Sequence, residues 1–163
     1  MNRFTVVVVG LLLVPLAATS VPRAPADDGG APRNVWKVIR LVERAQDFAV
    51  QDAAPPGPSL GDRLVFTSNL FDEQGRQVGH DGADCVTVRL DPTAPPAEQQ
   101  IVQCTVTVAL PDGQITVQGL AQGLEGRFAV TGGTGAYSTA RGEAHVVDTA
   151  PLVQADITIT LYR

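Results

Sequence analysis

LVQADITITLY, residues 152–162, alternates residue by residue: Val153, Ala155, Ile157, Ile159 and Leu161 fall on one face, and Gln154, Asp156, Thr158, Thr160 and Tyr162 on the other. A period of two with one apolar and one polar face is that of a β-strand lying on a core. Working outward from it, the same reading marks seven further strand segments, at 35 to 43, 64 to 71, 77 to 90, 100 to 110, 114 to 121, 126 to 131 and 142 to 149. In 100 to 110, Val102, Cys104, Val106, Val108 and Leu110 form one face, while the opposite face is only mildly polar. No segment carries a helical period. Beyond residue 34 the prolines, at 55, 56, 58, 92, 95, 96, 111 and 151, all fall between the segments, where no ladder N–H is needed. The stretches 72–75, 111–113 and 148–151 have hairpin-turn chemistry, so neighbouring strands run antiparallel. Eight such strands without a covering helix either split into a sandwich or close into a barrel. Closure removes unpaired edges, and the preferred reading is all-β: a small eight-stranded antiparallel β-barrel.

The whole chain has 163 residues, 44% of them hydrophobic and 18% charged, which suits one folded domain. Its formal charge of -5 provides no footprint for a polyanion, so nucleic acid is not expected as a partner. Arg3, the uncharged run 6–16 and the small residues 17–20 read as a signal peptide, too short and proline-interrupted to be a membrane span. The domain plan is then 1–20 as signal peptide, with an alternative cleavage after Ala26, 21–33 as a proline-rich disordered tail, and 34–163 as the barrel. A secreted location follows, and in an oxidising compartment Cys85 and Cys104 are expected to form a disulfide. A hairpin centred on 91–98 sets the two opposite each other, and closing such a loop contributes about 3 kcal/mol. The competing reading is a free, reactive Cys85.

The motifs GDRLVFTSNLFD at 61–72, VGHDGADCVTV at 78–88, ITVQGL at 115–120 and AVTGGTGAYSTARGEAHV at 129–146 resemble, in the same order, those of the allene oxide cyclase and dirigent protein superfamily. The resemblance covers roughly 35–162. It implies an eight-stranded barrel with a mostly apolar cavity, commonly a homotrimer through outer barrel surfaces, acting without a cofactor. A glutamate of the similar plant cyclases aligns with Arg40, and an asparagine of their site with Val42, while Glu43 lies nearby on a different face. Their second-strand asparagine falls on Ser68, with Asn69 one step along, and Cys85 falls on a family cysteine. The acidic start motif of dirigent proteins is not found.

His80 and Asp84 share a strand face with Val86 and Val88 and form the candidate catalytic acid–base pair, because a carboxylate beside a half-buried imidazole holds its pKa near neutrality. The alternative is a glycine-rich bulge where both groups meet water. Glu143 and His145 are a second pair, read as an outward polar face opposite Gly142, Ala144 and Val146. No metal is expected, since His-x-His, Cys-x-x-Cys and Asp-rich loops are lacking. Gly132, Gly133 and Gly135 read as turn residues rather than a phosphate cradle. Aromatic side chains, Phe66 and Phe128 among them, fill part of the barrel, and a remaining cavity with Arg40, Ser68, Phe66 and His80 in its wall would hold a small apolar molecule. The expected function is that of a cofactor-free cyclase or isomerase, or a dirigent-like stereochemical guide. The alternatives are a carrier without chemistry and a filled, structural trimeric barrel.

Overall fold

Each strand finds its partner in the next one along the chain. The computed structural model describes residues 34–163, so the proposed signal peptide and tail lie outside the described residues. The strands are β1 (Val35–Gln51), β2 (Arg63–Phe71), β3 (Gln77–Leu90), β4 (Gln100–Leu110), β5 (Gly113–Gln122), β6 (Glu125–Gly133), β7 (Arg141–Ala150) and β8 (Gln154–Tyr162). All neighbours are antiparallel, and β8 returns to pair with β1, closing the barrel in chain order. No α-helix occurs among the described residues, and none is therefore long and apolar enough to cross a membrane. Closure leaves no open sheet edge.

Strand β1 is longer than the 35–43 expected, because its alternation changes phase partway. A bulge between Ala45 and Asp47 inserts Gln46 against β2. Glu43 and Ala45 face the interior before it, and Phe48, Val50 and Asp52 after it. An extra residue swaps the two faces, so a single period cannot be followed through it. Strand β8 in turn starts at Gln154, with 151–153 forming the turn before it.

The two ends of the barrel differ. One is packed solid by Leu41, Leu70, Ile115, Val130, Ile159 and Leu161, with Tyr137 from the β6–β7 connection seated on them, 2% exposed. The Tyr137 hydroxyl accepts a hydrogen bond from Lys37 Nζ at 3.0 Å, which satisfies its polar tip. Of the three glycines expected in a turn, Gly132 and Gly133 belong to the end of β6 and only Gly135 falls in the connection, where it makes a tight approach. Gly135 has φ +58°, and a Cβ there would stand 2.4 Å from the Asp112 carbonyl oxygen. Ala136 N–H bonds that same carbonyl, clamping the connection onto the β4–β5 hairpin. The opposite end, carrying the β1–β2, β3–β4, β5–β6 and β7–β8 connections, is open and leads into a cavity.

Cys85 and Cys104 stand opposite each other in the β3–β4 register and are joined by a disulfide. Both are buried on the inner face, so the bond crosslinks two neighbouring staves of the cavity wall.

Candidate active site

The cavity measures about 640 Å³. Its wall is mostly apolar: Leu64 and Phe66 from β2, Val102, Val106 and Val108 from β4, Val117 from β5, Phe128 from β6, Ala144 and Val146 from β7, and Ile157 from β8. Phe48 and Phe66 are direct cross-strand partners near the mouth. Such a surface excludes water from whatever it encloses and leaves orientation to the few polar groups present.

Those groups converge on Ser68, which is fully buried on β2. Its hydroxyl donates to Glu43 Oε1 on β1 at 2.8 Å, and its backbone N–H donates to Asp81 Oδ1 on β3 at 2.9 Å. Asp81 is 2% exposed, and its Oδ2 accepts no hydrogen bond from a described residue. A buried carboxylate oxygen left without a donor is costly, and a proton shared with a neighbouring carboxyl removes the deficit. Burial, and then the nearby charge of Glu43, push Asp81 up to about 7. Burial likewise raises Glu43, which the Ser68 hydroxyl pulls back down and the charge of Asp148 raises again. Asp148 on β7 is itself raised by burial. Glu43 and Asp81 therefore titrate as a unit that holds a proton near neutrality, with Glu43 and Asp148 presented to the cavity.

At the mouth, Asp62 accepts the N–H groups of Ser59 at 2.8 Å and Ala53 at 2.9 Å, which pins the β1–β2 connection and holds this carboxylate below its usual range. Arg63 is the one cation among the described lining residues, and it is turned to Asp84 by two hydrogen bonds of 2.7 and 2.6 Å.

The expected site residues separate into two sets. Ser68 and Phe66 line the cavity. Arg40 and His80 do not: both are exposed on the outer surface, Arg40 opposite Thr158 and His80 between Asn69 and Ala109. Asp84 also stands outside, ion-paired to Arg63, which lowers its pKa. His80 and Asp84 do share a face, yet it is the outer one, because Asp81, Ala83, Cys85 and Thr87 are the buried set on β3. Val86 and Val88 made the outer face look apolar, and Val88 is in fact 48% exposed. His145 lies outside too, with Nε2 2.6 Å from Glu125 Oε1. Glu143 is likewise exposed. No cluster of three or more metal-ligating side chains occurs among the described residues.

Sequence reasoning named Glu43 only as a neighbour of Arg40 and passed over Asp81 and Asp148 as site residues. Glu43 does face the other way from Arg40, but the inward face was given to Arg40, and Asp148 was assigned to a turn although β7 continues to Ala150. One signal was available for Asp81. Cross-strand partners share a face, so pairing Cys85 with Cys104, whose neighbours Val102, Val106 and Val108 are apolar, turns 85 and hence 81 inward.

No curated protein sequence matches this chain. Among solved structures, a pyocyanin demethylase is similar at 28% identity, covering 77% of this chain and 99% of that one, with a TM-score of 0.67. An exo-specific intermolecular Diels-Alderase is similar at 16% identity, covering 78% and 96%, with a TM-score of 0.65. A pterocarpan synthase dirigent protein is similar at 14% identity, covering 77% and 82%, with a TM-score of 0.57. The last two likenesses are of fold. The family model of the allene oxide cyclase barrel-like domain matches residues 42–161, the barrel from the inner part of β1 to the end of β8, and this chain therefore belongs to the allene oxide cyclase barrel-like family.

Proposed function

We propose that the protein is an exported, cofactor-free barrel enzyme that encloses a small apolar molecule and rearranges it by proton transfer through Glu43 and Asp81, as a cyclase or isomerase. The observation that supports this reading most is the carboxyl pair held by one serine at the end of a mostly apolar cavity. A carboxyl whose pKa lies near the working pH can both give and take a proton, which is what general acid–base catalysis requires. Glu43 would deliver a proton to a carbonyl or alkene of the guest and recover one from a neighbouring carbon, with Asp81 returning the charge to its resting state. The apolar wall would supply the orientation that favours one product. The chemistry of the similar proteins, a demethylase, a Diels-Alderase and a dirigent pterocarpan synthase, is compatible with a cavity that handles small organic molecules. Assembly as a homotrimer belongs to the same reading, and exposed Val38, Val65, Val88 and Leu120 on the outer faces support it.

The test is to purify the protein, identify any co-purifying small molecule by mass spectrometry, and incubate it with the protein in deuterated water. Rearrangement with deuterium uptake is expected, lost in Glu43→Gln while the molecule still binds. A guest returned unchanged and unlabelled would overturn the enzymatic reading in favour of a carrier.

A further inference from the structure

Charge is distributed unevenly over the cavity. Glu43 and Asp148 line its interior and Asp52 and Asp62 its mouth, where Glu125 is already engaged by Arg127 and His145, and the single lining cation, Arg63, is neutralised by Asp84. Beside Glu43, Asp81 Oδ2 is a buried carboxylate oxygen without a hydrogen-bond partner, on a side chain that is 2% exposed. Three phenylalanines, Phe48, Phe66 and Phe128, contribute ring surface to the same wall. An apolar guest alone requires none of these carboxyl groups, and an anionic guest would be repelled by them. Ring faces and carboxylates that have no cation beside them both favour positive charge, the first through their quadrupoles and the second as counter-ions. Carboxylates around a low-dielectric mouth also draw cations inward.

We propose that the guest of this cavity is an apolar molecule carrying a delocalised positive charge, such as an N-alkylated heteroaromatic ring, with the Glu43–Asp81 pair as its counter-ion and the phenylalanine rings as its wall. The proposal rests on the binding cavity of the proposed function and adds the charge of the guest. A pair that shares one proton carries one net negative charge, which matches a monocation. Glu43 and Ser68 are in the cavity wall, so Glu43 faces the guest, while Asp81 is buried outside the lining and is held to the pair by the Ser68 backbone N–H. The cation is held without any bond being made or broken.

The probes are N-methylquinolinium and its neutral isostere 1-methylnaphthalene, titrated into the purified full-length protein by fluorescence or calorimetry, with 1-naphthoate as an anion. The cation is expected to bind about tenfold or more tighter than the isostere, a difference of the size that one desolvated counter-ion and ring contacts supply. Naphthoate should bind more weakly than either. Glu43→Gln and Asp81→Asn, each close to isosteric, should bring the cation and the isostere to within about threefold. Equal or tighter binding of 1-methylnaphthalene would overturn the charge proposal and leave the apolar cavity standing. Failure of all three probes to bind would overturn the cavity reading itself. A cation preference that survives in both variants but vanishes in Asp148→Asn would overturn the assignment to the Glu43–Asp81 pair.

Discussion

Glu43 and Asp81 come from strands that are not paired with each other, β1 and β3, and meet across one residue of the strand between them, which offers its hydroxyl to the first and its backbone N–H to the second. The arrangement places two carboxyls side by side in an apolar interior. Neither finds a basic partner there, so a retained proton is what keeps the pair tolerable.

That retained proton sets the pH dependence of stability. Asp81 is raised to about 7 in the folded chain, against an ordinary value of 3.8. The folded state thus binds more protons than the unfolded one between these values, and stability falls as pH rises from about 4 through about 7. In Asp81→Asn an amide can accept the Ser68 N–H and donate to Glu43. Melting scans should show the variant gaining several degrees on the wild type at pH 8, with the gap closing toward pH 4.

Substitution on the outer face of β3 should be silent. His80 is exposed and stands on the opposite side of the sheet from the cavity. His80→Ala is expected to leave the melting temperature and probe affinities unchanged within error. A tenfold loss of affinity would place the working face of β3 on the outside.

Filling the cavity should separate folding from binding. Val106 lies on the cavity wall of β4, with open space in front of it. Val106→Trp is expected to keep the strand spectrum by circular dichroism while cutting probe affinity more than about tenfold, through loss of the volume the guest needs.

The plugged end should carry a large share of the stability. Tyr137→Ala removes a ring that is 2% exposed and opens the packed end, at a cost of about 3–5 kcal/mol by urea unfolding. Tyr137→Phe deletes only the hydrogen bond from Lys37 and should cost about 1 kcal/mol.

Removing the crosslink should act mainly through the unfolded chain. Cys85 and Cys104 are 19 residues apart, and the Cys85→Ala, Cys104→Ala double variant is expected to lose about 3 kcal/mol in denaturant unfolding.

Alternation along the chain was enough to place eight antiparallel strands, because period-two burial and proline punctuation are local properties, whereas closure into a barrel rather than a sandwich was a preference that the β1–β8 pairing decided. The β4 face of Val102, Cys104, Val106 and Val108 was read from residues alone and lines the cavity. So were Gly142, Ala144 and Val146 as the side of β7 that packs inward, and the juxtaposition of Cys85 with Cys104. The direction in which the polar residues point was decided only by the tertiary structure. Gln46 bulges out of β1 and reverses its faces, so no periodic reading carried from Ile39 could reach Phe48. Glu43, Ser68 and Asp81 are separated by 25 and 13 residues in sequence and become neighbours only through the shared register of β1, β2 and β3. A carboxyl is polar on either side of a sheet. Whether it is a solvated surface charge or a buried proton carrier depends on which side the closed barrel encloses, and that is a property of the whole circuit of strands.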